Sequence, residues 1–129
     1  MLLPTTLCLT AAAILINFWL GMRVSKLRHS LGVSIGDGGH EPIIRRMRAQ
    51  ANFLENVPLT LILIAAVELA GKGGAWLAPA GAVFMLGRIA HGIGMDGGFK
   101  AGRPIGMLTG MILQLALIVV AVLASVGKI

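Results

Sequence analysis

The chain has no tyrosine, one cysteine and only five acidic side chains among its 129 residues. With Cys8 alone, in the first apolar run, neither an intrachain disulfide nor a cysteine-based metal centre can form. His29, His40 and His91 have no ligand spacing, so no metal site is expected. Charged residues make up 12% of the chain, against about 25% in soluble domains. Hydrophobic residues make up 57%, and the mean hydropathy is +0.89. These values exclude an ordinary soluble domain and point to one integral membrane domain. Eighteen glycines with no period exclude a collagen-like chain. The net charge of +6 lies beside apolar runs, where lysine and arginine set topology and meet anionic headgroups. Membrane lipids, not nucleic acid, are the expected partners. Met1-Leu2-Leu3-Pro4 carries no basic leader, so the first apolar run is expected to be a retained span.

Four runs approach the roughly 20 residues needed to cross a bilayer. They are placed at residues 3–22, 42–70, 75–93 and 104–126. Arg23, Lys26 and Arg28 end the first. A glycine-rich loop over residues 32–40 follows, and Pro42 suits the first turn of the second helix. Gly71-Lys72-Gly73-Gly74 forms a tight turn before the third span, and residues 94–102 form a second glycine-rich loop. The expected fold is all-α, a four-helix up-down transmembrane bundle in a single domain spanning residues 1–129.

Lysine and arginine counts orient it. Arg23, Lys26, Arg28, Arg45, Arg46, Arg48, Lys100 and Arg103 lie in or beside two same-side connections, eight of the eleven basic residues. Lys72 and Lys128 lie opposite, and Arg88 lies within the third span. Both basic connections are expected in the cytoplasm and both termini outside.

The second run carries the chemistry. At about 100° per residue, Arg45, Arg48, Asn52, Glu55 and Asn56 share an arc of about 100°. Met47, Ala51, Phe53 and Leu54 lie elsewhere. Charges near lipid usually face a bundle interior or a watery cavity. With Arg88, His91 and Arg103 on the same half of the bundle, the set suits an anionic ligand with a free amine. Arginine forks hold carboxylates, Glu55 can accept from an ammonium, and Asn52 can meet a peptide bond. Glutathione fits that inventory, and its thiol needs a nearby cation such as Arg88 or Arg103 to raise its thiolate fraction.

Arg46 is expected to reach only headgroups, and Glu68 to be solvated near the outer interface. Asp37 and Asp96 are expected to shape turns or cap helices. Arg88 can pair with Glu55 or contact a ligand, and His91 is expected to hydrogen-bond at its helix end. Gly102, Gly106 and Gly110 read as a close-packing face. Met85, Met107 and Met111 read as span filler that could also line a groove for a lipophilic molecule.

Arg48-Ala49-Gln50-Ala51-Asn52-Phe53-Leu54-Glu55-Asn56-Val57-Pro58 resembles the second-helix signature of the MAPEG family, the membrane-associated proteins of eicosanoid and glutathione metabolism. Gly87-Arg88-Ile89-Ala90-His91 resembles its third-helix motif. Arg103-Pro104-Ile105-Gly106, with Thr109 and Gln114, resembles the start of its fourth helix. The Gly36-Asp37-Gly38-Gly39 loop is similar to bacterial members. The resemblance covers nearly the whole chain. It implies a homotrimer in the bacterial inner membrane, with glutathione as co-substrate held between subunits near the cytoplasmic side. Arg45, Arg48, Gln50, Asn52, Glu55 and Arg88 match glutathione-site positions.

The implied activity is that of a microsomal-type glutathione transferase or peroxidase acting on lipophilic electrophiles, with Arg103 and Arg88 stabilising the thiolate. The alternative is a non-catalytic lipid-binding or scaffold protein of the same fold. Three departures favour that alternative. Gly106 stands where eukaryotic enzymes of the family place an arginine near the thiol, and Met107 stands where a serine often follows. Met95 and Gly110 stand at their tyrosine positions.

Overall fold

The computed structural model describes residues 2–129 as four helices: α1 (Pro4–Leu31), α2 (Glu41–Leu69), α3 (Leu77–Met95) and α4 (Gly102–Ser125). All four are long and apolar enough to cross a membrane, and no strand occurs among the described residues. Proline starts two of them: Pro4 and Pro42 each sit in a first turn, where the missing amide hydrogen is no loss. Pro58 lies inside α2, and the helix continues through it.

α1 runs well past Met22, so Arg23, Lys26 and Arg28 ride on helix and not in a loop. At about 1.5 Å per residue, α1 is about 42 Å long, and its charged last turns extend beyond an apolar core of about 30 Å. It ends at Gly32, whose φ of 70° is left-handed. There Val33 donates its amide to the Arg28 carbonyl at 2.8 Å, a glycine-terminated helix stop.

The helices run alternately up and down. α3 and α4 pack most closely because their facing residues are glycines. A Cβ on Gly102 would run into the Ala90 carbonyl, and one on Gly106 would meet the Gly87 carbonyl. On α3, a Cβ on Gly94 would strike the backbone of α4. The repeat 102, 106, 110 is thus the packing face that its spacing implies. α1 packs on α2 and α3, and α2 also packs on α4. The shared core includes Leu20, Phe53, Val57, Ile64, Leu77, Phe84 and Leu117. Elsewhere apolar side chains point outward, among them Leu15, Phe18, Ile62, Ile112 and Val119, as lipid-facing helices require.

Polar groups tie the two ends of the bundle together. At one end the Glu68 carboxylate accepts the Thr5 and Thr6 amides, each at 2.9 Å, and the Thr6 hydroxyl at 2.6 Å. These are orphan donors of the first turn of α1, which no local side chain caps. Glu68, half-buried near the outer end, is thus more than a solvated residue: it is an N-cap supplied by a different helix. At the other end, Asp96 follows α3 and accepts from Arg23 of α1 and from Arg46 of α2, the latter at 3.0 Å. Arg46 also donates to the Arg23 carbonyl at 2.7 Å. Arg46 therefore does more than reach headgroups, and Asp96, the turn residue that caps the end of α3 as its sequence context implies, also joins three helices in a clamp. Asp37 does shape its loop, accepting from the Gly39 amide at 2.7 Å.

Candidate functional site

The polar arc of α2 opens on a cleft of ≈ 200 Å³ between α2, α3 and α4. Asn52, Asn56, Phe84, Arg88, Met107 and Gln114 are among its lining residues. Arg88 is its deepest charge, only 5% exposed. One terminal nitrogen donates to Asn52 Oδ1 at 2.8 Å, and the other donates to the Gly106 carbonyl. The guanidinium carbon lies 5.5 Å from the centre of the Phe84 ring. Its Nε is buried and has no hydrogen-bond partner, which is costly and uncommon for a charged group.

The local reason for this geometry is glycine. Gly110 has no side chain where the guanidinium lies, since a Cβ there would stand 3.2 Å from Arg88 Nη2, and Gly106 lets α4 approach Gly87 and His91 of α3. His91 is buried at the same α3–α4 contact, its Cβ against Gly106, about one turn before the end of α3. Deeper in the bundle, Gln114 donates to Thr60 Oγ1 at 3.0 Å, and Thr60 donates to the Asn56 carbonyl at 2.8 Å.

The remaining site residues named from sequence fall in four places. Arg48 and Glu55 share the outward face of α2, 4.0 Å apart, with side chains 60% and 59% exposed. Arg45 lies one turn earlier and pairs with Glu41 at 2.8 Å. Arg103 is exposed at the start of α4, outside the Arg88 cleft lining. Gln50 points to the opposite side, donating to Asn17 of α1 at 3.3 Å. It lines a separate groove with Gly21, Arg28 and Met47. Within the chain, then, Asn52 and Arg88 meet, Arg48 and Glu55 flank them, and Gln50 stands apart. Arg88 takes Asn52 as its partner, not Glu55.

Phe84 and Thr60 belong to this polar column and were not singled out in the sequence. Thr60 was within reach: it lies four residues after Asn56 and continues the arc. Phe84 had no signal, because an apolar residue in an apolar span is unmarked until a guanidinium is found above it.

No match is found among curated proteins or solved structures. The model of the MAPEG family, in contrast, matches residues 6–123, a stretch that includes all four helices but for their outer ends and every residue of the polar column. The chain is thus an integral membrane protein that belongs to the MAPEG family.

Proposed function

We propose that this protein binds glutathione on the outward face of α2, in a site completed by a neighbouring copy within a homotrimer. In this reading it conjugates glutathione to lipophilic electrophiles or uses it to reduce lipid hydroperoxides. The observation that carries the proposal is the exposed Arg48–Glu55 pair beside the buried Asn52–Arg88 contact. Membrane insertion scales put the cost of a charged side chain at about 2.5–3.5 kcal/mol near the helix centre. A polar ligand under a second protomer removes that exposure, and lipid does not.

Gln50 supports the sharing. It projects from the opposite side of α2 to Arg48, toward α1, so one protomer cannot bring both to one ligand. A head-to-tail contact can, and such contacts close into rings. In the ligand, carboxylates would meet Arg48 and Arg45, the ammonium Glu55, and an amide Asn52. The thiolate would lie toward Arg88, with Arg103 as a second cation. In conjugation the thiolate sulfur forms a bond to carbon while the leaving group departs with its electron pair. Met107 and Met111 at the cleft offer an apolar approach from the bilayer. The basic connections face the cytoplasm and both termini the periplasm of a bacterial inner membrane.

Glutathione binding to the detergent-purified protein tests the reading. Arg48→Ala and Glu55→Ala should each weaken binding about tenfold or more, since a charge-assisted hydrogen bond contributes about 1.5–3 kcal/mol. Unchanged affinity in both variants would overturn the site. Mixed oligomers of Arg48→Ala and Gln50→Ala protomers should recover some intact sites, whereas sites confined to one protomer would show no recovery. The structure also favours a second reading, a non-catalytic lipid-binding or scaffold protein, because both terminal nitrogens of Arg88 are already engaged. Thiolate absorbance of bound glutathione separates the two: ionisation no greater than that of free glutathione argues for the scaffold.

A further inference from the structure

A second, larger cavity lies at the same end of the bundle but outside the Arg88 cleft. It measures ≈ 640 Å³ and is lined by Trp19, Met22, Arg23, Lys26, His29 and Arg46, with Ser25 at its edge. Binding sites for small molecules commonly span about 300–1,000 Å³. Three cations face it, and Asp96 answers only one of them, leaving two positive charges. Arg23 and Arg46 are held in place before any ligand arrives. Both pair with Asp96, their side chains are only 23% exposed, and the Arg23 guanidinium lies 4.8 Å above the Trp19 ring. Lys26 is exposed and takes part in no ion pair among the described residues.

The wall of this cavity continues along α1 in helical steps. Lys26 and His29 lie one turn and two turns beyond Met22, and Phe18 and Leu15 lie one and two turns before it. Leu15, Phe18 and Met22 are 67%, 62% and 70% exposed. One stripe of one helix therefore changes from apolar to cationic, with Trp19 at the boundary, the position tryptophan favours at a membrane–water interface. A free anion would use only the cationic half. A molecule with a phosphate and acyl chains would use all of it.

We propose that this cavity is a binding site for an anionic phospholipid, with the phosphate at Arg23, Lys26 and Arg46 and an acyl chain along Met22, Phe18 and Leu15. Basic pockets between transmembrane helices are known to take such headgroups. Because Asp96 bridges Arg23 and Arg46, the lipid would rest on the clamp that joins α1, α2 and α3. The assignment is independent of glutathione binding, since it shares no lining residue with the Arg88 cleft.

Native mass spectrometry of the full-length protein in detergent tests it, using phosphatidylglycerol, phosphatidylcholine of matched chains and inorganic phosphate as probes. Phosphatidylglycerol should be retained at least tenfold more strongly than phosphatidylcholine. Lys26→Ala, at an exposed position where folding is not at stake, should weaken phosphatidylglycerol about fivefold, because a basic side chain near the surface contributes about 1 kcal/mol. Lys72→Ala, at the far end of the bundle, should leave it unchanged. Equal retention of the two lipids, or an unchanged Lys26→Ala, overturns the site. Displacement of the lipid by millimolar inorganic phosphate overturns the lipid assignment in favour of a free anion.

Discussion

Replacing Gly106 by alanine tests the link between the α3–α4 packing and the buried arginine. An added Cβ would stand 2.5 Å from the Gly87 carbonyl oxygen and 2.6 Å from His91 Cβ. The first is backbone and cannot move aside without moving α3. Overpacking of this kind costs about 1–3 kcal/mol. Separating the helices also strains the Arg88 bond to the Gly106 carbonyl, and interhelical bonds in membranes contribute about 1 kcal/mol. Against this, exchanging glycine for alanine inside a helix gains about 0.5–1 kcal/mol. The net expectation is a loss of about 1–3 kcal/mol. Gly110 provides the contrast. There the nearest atoms are Arg88 Nη2 at 3.2 Å and Phe84 Cε1 at 3.4 Å, side-chain atoms that can yield, so Gly110→Ala should cost close to nothing. Unfolding by a denaturing detergent, followed by circular dichroism, should separate the two variants by about 2 kcal/mol, which is more than tenfold in the folding equilibrium. Equal stabilities would refute the argument that backbone contact at Gly106 sets the helix spacing.

Two further substitutions probe the ends of the bundle. Asp96→Asn removes the charge that holds Arg23 and Arg46 and should destabilise the protein by about 1.5–3 kcal/mol, the range for hydrogen bonds to charged groups, measured in the same unfolding assay; an unchanged midpoint would mean that the clamp contributes nothing. Glu68→Gln weakens the cap on α1, so the Thr5 and Thr6 amides should exchange with deuterium faster while those of α3 do not change. Equal exchange in the wild type and the variant would show that the cap is not formed in solution.

The four helices were legible because apolar run length and glycine or proline punctuation are local properties. The polar arc of α2 was legible for the same reason, since periodicity assigns residues to faces. Partners across the bundle were not. Glu68 caps α1 from 63 positions away, and no local pattern marks a carboxylate as the cap of a distant helix. Arg46 fell outside the arc, and a face pointing away from the other polar residues reads as a face toward headgroups. That face also meets α1, where Asp96 arrives from the end of a third helix. Arg88 was recognised as important, but its partner was not, because Asn52 and Glu55 lie on the same face and only the depth of α3 decides between them.

Gly106 is where the α3–α4 packing and the Arg88 contact meet. The resemblance to the family implies an arginine at this position in its eukaryotic members. The structure shows what the glycine provides: close contact with Gly87 and His91, and a carbonyl within reach of Arg88. A side chain here could not be added without separating α3 from α4, so the absence of the arginine and the burial of Arg88 are linked features of one packing arrangement. An arginine at 106 would remove the close approach on which the Arg88 contact depends. In the proposed glutathione site, the cation at the thiol would come from Arg88, whose Nε lacks a partner, or from the exposed Arg103. Arg88 is hydrogen-bonded at both terminal nitrogens and buried, whereas Arg103 is exposed. Electrostatic stabilisation is strongest where the charge is held in position beforehand, and on that ground Arg88 is the stronger candidate for the thiolate.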